Sequence, residues 1–509
     1  MPGIILWYGD PPLPGTIYKL DMRGFELSEN PDVANINIQL LNPLLSSASI
    51  VVFNHSGEVD DSNIHYDTYK QLPLFINHGL LILILSDRGR WSTLKEDLKR
   101  LHPNFTWDEE IRFLTDLKGI NFDNIVSYQR VQPWKNIKIE KLDLSEELKQ
   151  DEKLLVCRAF QKAEELHIRE LKSGFTPSRV FLAYEKMRVS SIAHWTQPRL
   201  VKIGESNNLA NEIKAMKEVS PFVPFELRPN LEVYIEGFSK SVYVADFVEK
   251  SESMLEAARA GRAEAAISNL FNRTLQLWRD RAWQCTPPSI ESLALAAKRL
   301  EIIYPDIIEN EYLESVLIED AAIDVNTLWA TLVDISFEHR AATIHGDLHG
   351  DNIRVRGDDA ILIDLGAVKG TDEYGKGAPI CFDVAMLEVA LVFTCTDDEN
   401  RKDQFNQPEW ENAIRRFYDL NAILNPPKPN PKPKQDDYFW LFGCLRRVRA
   451  FGIYEQSDKH EYAIALVIAM WRLCKFPSLS KTDRGRRVIA LDIGAKLISQ
   501  IEAERRKST

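Results

Sequence analysis

The sequence predicts an α/β domain of the doubly wound kind over residues 1–140, followed by an α+β region over residues 153–509. Three observations carry that reading. Short continuous apolar runs alternate with helix-spaced stretches in the first 140 residues, as in parallel sheets covered on both faces by helices. Strand-like runs dominate residues 153–250, and helix-spaced apolar positions dominate residues 251–509. Within the helical part, residues 341–366 read AATIHGDLHGDNIRVRGDDAILIDLG, a polar loop leading into two apolar strands.

In the first domain, Ile4 to Tyr8, Ile50 to Phe53 and Leu80 to Leu85 are apolar runs bounded by polar residues. Leu94 to Leu101 and Glu109 to Leu117 have helical spacing, and a further strand is expected near Ile125 to Val131. This order of elements resembles a response-regulator receiver domain. Receivers carry an acidic pair after the first strand and a phospho-accepting aspartate after the third. Here Asp10 follows the first run, Asn54 follows the Ile50 to Phe53 run, Ser86 follows the next, and Gln132-Pro133 replaces the usual Lys-Pro. An amide is not phosphorylated as an aspartate is. The resemblance therefore implies a degenerate receiver-like domain that docks or senses a partner protein. An unrelated α/β domain fits the same pattern.

Residues 135–152 are charged, and Ser145 with Glu146 and Glu147 reads as a helix start; the domain boundary is expected here. Leu154 to Phe160 is a strand candidate, and a turn-rich loop from Glu170 to Ser178, containing Ser173 and Gly174, precedes a strand at Arg179 to Tyr184. As a plain hairpin turn that loop would look the same. Leu200 to Gly204 is an apolar strand with Lys202 at its centre. A lysine among core residues ordinarily extends its ammonium to the edge. A helical pattern around Asn211 to Met216 places Glu212 ten residues on. Two more strands, Leu231 to Ile235 and Ser241 to Val244, run into Ala245 to Glu249, which includes Asp246.

The 341–366 segment carries the chemistry. Ile353 to Val355 and Ile361 to Ile363 flank the turn Gly357-Asp358-Asp359, whose residue types favour a hairpin. The loop before it holds His345, Asp347 and Asn352, and Asp364 ends the second strand. The hairpin keeps Asp347 and Asn352 near Asp364. One carboxylate can then accept the proton of an attacking hydroxyl, while an amide oxygen and a second carboxylate suit Mg²⁺, which prefers hard oxygen ligands.

His-Gly-Asp-Leu-His-Gly-Asp-Asn followed by Ile-Asp-Leu-Gly resembles the motifs of the aminoglycoside phosphotransferase and choline kinase superfamily, small-molecule relatives of protein kinases. The resemblance covers residues 153–509 and implies a bilobal protein-kinase-like fold, with an N-lobe at 153–250 and a mainly helical C-lobe at 251–509. It implies ATP and Mg²⁺ as cofactors and transfer of a phosphate to a hydroxyl of a protein or small molecule. By the same resemblance Asp347 is the catalytic base, His345 buttresses its loop, and Asn352 and Asp364 are the metal ligands. Lys202 pairs with the nucleotide phosphates, Glu212 fixes Lys202, Ser173 and Gly174 lie over the phosphates, and Asp246 sits at the hinge that borders the adenine. Asp383 would tie the catalytic loop to the C-lobe core, a role compatible with a plain helix N-cap. The run from Asp383 to Leu391 also resembles bacterial kinase-like domains called ternary complex-associated domains, linked with signalling and conflict systems. A regulatory module that binds nucleotide without turnover, and nucleotidyl transfer to a protein, are the competing readings.

The remaining features bound the class. Hydrophobic residues at 44% and charged residues at 27% are those of an ordinary globular protein. A net charge of -12 argues against a general nucleic-acid or membrane-surface binder, although whole-chain acidity would suit a cationic acceptor. Arg484, Arg486 and Arg487, with the tail Arg505-Arg506-Lys507, are read as a solvated helix face and a frayed end. Six cysteines (Cys157, Cys285, Cys381, Cys395, Cys444 and Cys474) form no Cys-x-x-Cys pair and are expected to be buried thiols in a reducing compartment. No basic n-region precedes the short apolar run at the start, and the longest apolar stretch, Gly79 to Leu85, is too short to span a bilayer. A cytoplasmic protein is expected. Trp278 and Trp283 could stack on a substrate, but large aromatics on an amphipathic helix are more often core. The proline-rich run Asn425 to Lys434 reads as a solvated spacer. Asp437 to Arg449, Tyr462 to Cys474 and Val488 to Glu504 are expected C-terminal helices.

Overall fold

The computed structural model describes residues 4–21, 25–29, 48–55, 69, 72, 75, 80–102, 111–117, 137–160, 162–171, 178–189, 192–235, 240–284, 289–313, 317–318, 321–322, 324–370, 377–394, 407–425, 439–476 and 481–508. The chain divides into two compact units, residues 1–211 with 230–247 and residues 212–229 with 248–509. Among the described residues no helix is long and apolar enough to cross a membrane.

The first unit begins with five strands, β1 (Ile4–Gly9), β2 (Glu26–Glu29), β3 (Ala48–Asn54), β4 (Leu81–Leu85) and β5 (Ile111–Leu114), in the spatial order β2-β1-β3-β4-β5. Every pairing is parallel. This is the 2-1-3-4-5 order of one doubly wound family of sheets. The apolar runs are continuous because both faces are buried. Leu6, Val51, Ile82 and Ile84 enter one core, while Ile5, Ile50, Val52, Leu81 and Leu83 enter the other. The helix expected at Leu94 to Leu101 is present as Trp91–Leu101.

Two expectations for this domain fail. The helix expected over Glu109 to Leu117 is not found in its described part, because Ile111–Leu114 is β5, paired with β4. Ile111 and Phe113 are buried and Arg112 and Leu114 are less so, a period of two that belongs to a strand. The edge strand β2 was not foreseen. The expected strand near Ile125 to Val131 and the Gln132-Pro133 pair lie outside the described residues.

The same unit contains a second sheet of seven strands. Five of them, β7 (Ala163–Leu171), β8 (Arg179–Val189), β10 (Arg199–Glu205), β12 (Lys240–Asp246) and β11 (Leu231–Ile235), follow one another antiparallel across the sheet. The strand β9 (Ile192–Trp195) pairs antiparallel with β8, and β6 (Lys138–Asp143) pairs parallel with β7. Adjacent parallel strands need a crossover, usually helical. Residues Gln150–Ala159 supply it, so the strand expected at Leu154 to Phe160 is a helix. Its start comes later than Ser145, at Gln150, where the Glu152 carboxylate accepts the Lys149 backbone N–H at 3.0 Å. Leu155, Val156 and Phe160 then pack on Leu166, Ile168, Val201 and Val242. The charged 135–152 stretch is thus not a linker throughout, since β6 belongs to the sheet.

The second unit is mainly helical. Cys381–Phe393 is buried at all thirteen positions. It packs against Phe439–Glu455 and Glu461–Arg472, and the long helix Lys481–Ser508 closes on the latter. A helix hydrophobic all round belongs at the centre of such a layer. Its one buried glutamate, Glu388, is bridged by Arg449, with Nη2 to Oε1 at 2.8 Å, and accepts the Tyr462 hydroxyl at 2.8 Å. The basic cluster near the end is not a solvated face. Arg486 is buried and lies over Trp410 at 5.3 Å, and the buried Arg487 pairs with Asp483 at 2.7 Å. Four thiols, Cys157, Cys381, Cys444 and Cys474, are free and buried; Cys285 and Cys395 lie outside the described residues. Trp278 is core. Most of the proline-rich run lies outside the described residues.

Candidate functional site

Local sequence builds the loop at Asp347. Ile353–Arg356 and Asp359–Leu362 pair antiparallel in the register Ile353↔Leu362, and Glu252–Ser253 adds a third strand. Gly357 takes a φ of 62° in the turn, a conformation that glycine adopts without strain. Before the hairpin, Ile344 and Lys369 exchange backbone hydrogen bonds at 3.0 Å in both directions. Residues between them are thereby folded back on each other. Gly346 has a φ of 76°, and a Cβ there would stand 2.2 Å from the Ala367 carbonyl oxygen, so no other residue fits without movement.

Asp383 holds the loop from below. Its carboxylate, buried in the central helix, accepts the backbone N–H of His345 at 2.8 Å and of Gly346 at 3.0 Å. Burial pushes the Asp383 carboxyl above its ordinary range, against the pull of His345 and of those two N–H groups. His345 is fully buried, and neither of its ring nitrogens has a hydrogen-bond partner among the described residues. The ring fills the core beneath the loop, while its main chain makes the tie to Asp383.

Asp347 itself remains reachable, with its side chain 30% exposed. The Asn352 amide donates to the Asp347 backbone carbonyl at 3.0 Å. That bond turns the Asn352 amide oxygen away from Asp347 as a hard donor. Asp364 follows the second hairpin strand, and its Oδ1 accepts the Gly366 N–H at 2.9 Å. Ile363 donates to the Asn352 carbonyl at 3.1 Å, so the two candidate metal ligands stand at the ends of one short hairpin. An amide oxygen and a carboxylate match the oxygen preference of Mg²⁺.

A cation contacts Asp347. Arg472, which ends the helix Glu461–Arg472, donates from Nη2 to Asp347 Oδ1 at 2.9 Å, and His349 Nε2 lies 3.8 Å from Oδ2. Burial alone would raise the Asp347 carboxyl, but Arg472 and then His349 hold it below its ordinary range. It is ionised at neutral pH. Nothing in the loop motif pointed to Arg472; the available signal was a single arginine closing the otherwise apolar run Tyr462 to Trp471.

The other predicted residues divide between the two units. Lys202 is buried in β10, between Val180 of β8 and Tyr243 of β12. Asp246 closes β12; its N–H donates to the Asn230 carbonyl at 3.2 Å and is used inside the sheet. Ser173 and Gly174 lie outside the described residues. Glu212, on the helix Ser206–Val219, is buried, and a Cβ on Gly366 would stand 3.4 Å from its Oε2 and 3.2 Å from Asp364 Oδ1. Glu212 and Asp364 therefore converge on Gly366. Elsewhere Glu140, Glu165 and His167 group closely enough to bind a metal. Lys138 and Lys186 already bond Glu165 at 2.7 and 3.0 Å, which makes that cluster an ion-pair network.

No family model and no curated protein matches this sequence. The chain is similar to a solved structure named "Putative fructosamine-3-kinase from HAEMOPHILUS SOMNUS 129PT", with 13% identity and a TM-score of 0.31, over 66% of this chain and 90% of that one. A likeness of that strength carries no argument about function. The functional reading rests on the loop.

Proposed function

We propose that the chain is an ATP- and Mg²⁺-dependent phosphotransferase of the kinase-like superfamily, acting on a hydroxyl of a protein or small molecule. The observation that supports it is the ionised, partly exposed Asp347, held between Asp383 and Asn352 at the same open end of the hairpin that carries Asp364. Asp347 accepts the hydrogen bond of the acceptor hydroxyl through a carboxylate oxygen and so orients its lone pair. As the new bond between that oxygen and the γ-phosphorus forms, the bond to the β–γ bridging oxygen breaks and its electron pair leaves with ADP. The acceptor proton passes to Asp347 and then to water. A carboxyl with a lowered pKa is a weak base, so this transfer comes late and orientation is its main contribution. Asn352 and Asp364 would hold the Mg²⁺, which neutralises charge on the phosphates when bound. Lys202 is assigned to the phosphates and Glu212 to orienting it.

The proposal extends to organisation. Residues 1–140 would form a receiver-like docking module for a partner protein, residues 153–250 the N-lobe and residues 251–509 the C-lobe, in a cytoplasmic protein of bacterial signalling or defence. In the first sheet Asn54 donates to the Asp10 carbonyl at 2.9 Å; this supports a structural amide at the position where receivers carry the phosphorylated carboxylate. A regulatory module without turnover is the second reading, favoured by Arg472 occupying one oxygen of Asp347.

Calorimetric titration with ATP, with and without Mg²⁺, tests the first reading on wild type, Asp364→Ala and Asp347→Asn. Expected are Mg²⁺-dependent binding by wild type, its loss in Asp364→Ala and its retention in Asp347→Asn. Absence of binding by wild type would remove both nucleotide-dependent readings and leave a module that works by protein–protein interaction alone.

A further inference from the structure

Cations gather near Asp347 in a chain that is acidic overall. Arg472 ends the helix Glu461–Arg472 and Lys475 ends the 3-10 turn Leu473–Lys475 that follows, with the Arg472 guanidinium carbon 5.8 Å and the Lys475 Nζ 5.9 Å from the Phe476 ring centroid. Phe476 thus holds two cations side by side, in the attraction that aromatic faces offer to positive groups. Arg472 reaches Asp347 Oδ1, and Lys475 is steadied by the Glu301 carbonyl at 3.1 Å. A third cation comes from the segment after the hairpin, where Lys369 acts on Lys475. Lys369 is bridged to Ile344, and its Cγ lies 2.9 Å from where a Gly346 Cβ would stand. His349 adds a titratable nitrogen 3.8 Å from Asp347 Oδ2.

Against Arg472, Lys475 and Lys369 stand the carboxylates of Asp347 and Glu301. These are the charges that act on Lys475, two cations and two carboxylates. Burial, followed by repulsion from Arg472 and Lys369, holds the Lys475 ammonium below its ordinary range, against the pull of Glu301 and Asp347. All three cations are partly exposed, so a ligand can reach them. A site for a cationic acceptor would instead line the base with carboxylates.

Building on the phosphotransferase reading, we propose that Arg472, Lys475 and Lys369 form an acceptor-recognition site, and that the acceptor is a hydroxyl compound carrying a phosphate or carboxylate. Arg472 has a role in both states. Its guanidinium orients Asp347 in the free enzyme and presents its remaining N–H groups to the acceptor anion, a planar donor set suited to phosphate and carboxylate. Lys475 and Lys369 supply point charges beside it. The anion would place the acceptor hydroxyl against Asp347.

Calorimetry on the full chain tests this with three probes, ribose 5-phosphate, ribose and kanamycin. Each is titrated with saturating Mg²⁺ and a nonhydrolysable ATP analogue, so that nucleotide-phosphate sites are already filled, and again without them. Ribose 5-phosphate is expected to bind at least about tenfold more tightly than ribose or kanamycin, and Lys475→Gln to weaken it about tenfold, the worth of one charge-assisted hydrogen bond. Affinity for the ATP analogue should stay unchanged in that variant. Ribose binding as tightly as ribose 5-phosphate, or kanamycin binding more tightly, would overturn the proposal. So would phosphate binding untouched by both Lys475→Gln and Arg472→Gln. Failure of the ATP analogue to bind, with Lys475-dependent ribose 5-phosphate binding intact, would instead remove the phosphotransferase reading and leave the anion site standing.

Discussion

Two arginine–carboxylate pairs in the helical unit use the same chemistry for opposite ends. Arg449 and Glu388 are 2% and 0% exposed, and Tyr462 donates to the same carboxylate. Arg472 and Asp347 are 19% and 30% exposed, with the second carboxylate oxygen approached by His349 no nearer than 3.8 Å. The first pair saturates its charge inside a packed layer, where an unpaired ion is costly. The second leaves its carboxylate open to a further ligand. Burial and completeness of hydrogen bonding, rather than the residue types, separate a structural ion pair from one poised for chemistry.

The comparison can be broken by variants. Arg449→Met should have the largest effect on stability, about 3–5 kcal/mol, because it strands the Glu388 carboxylate in an apolar layer; chemical denaturation of the full chain would measure it. Replacing both partners by leucine should restore much of that loss, since apolar residues of similar size need no charge partner. If Arg449→Met changed stability no more than Arg472→Gln, the distinction between the pairs would collapse.

Asp347→Asn should lower turnover by about 10²–10⁴-fold, measured as phosphoryl transfer or as residual ATP hydrolysis, while the folded chain and nucleotide affinity persist. An unchanged rate would remove Asp347 from its role.

Arg472→Gln sharpens the contrast at the smallest scale. Its effect on stability should stay within about 1 kcal/mol, as for partly exposed pairs. Its effect on pH dependence should be plain. Asp347 is lowered in the folded chain, so its contribution to stability is present above the unfolded carboxylate value of about 3.9 and is lost as pH falls through the folded one. Without Arg472, burial raises the carboxyl, and the acid limb of a rate–pH profile should move to higher pH. A limb that stays in place would mean that Arg472 does not govern the charge on Asp347.

How much of this was legible in the sequence depended on distance along the chain. The hairpin was readable because turn residues and flanking apolar runs are adjacent, and its register fixes Asn352 and Asp364 within one short motif. Lys202 in a strand and Asp383 in an apolar helix were readable for the same reason. Leu154 to Phe160 was not, since a seven-residue run apolar but for Arg158 suits a buried strand or a helix face equally. The parallel pairing of β6 with β7 decided it. The Arg486 and Arg487 cluster looked solvated because charge in sequence does not disclose an aromatic ring or a carboxylate from another turn.

By itself the sequence determined the local chemistry: a loop with a carboxylate, an amide and a second carboxylate at fixed spacing, and the alternating runs that make a doubly wound sheet. Those features follow from backbone geometry and turn preference among neighbours. The tertiary structure alone decided the electrostatics. Arg472 reaches Asp347 across 125 positions, and a chain of net charge -12 brings Arg472 and Lys475 together on Phe476, because charges interact through space and decay within ångströms, regardless of the total.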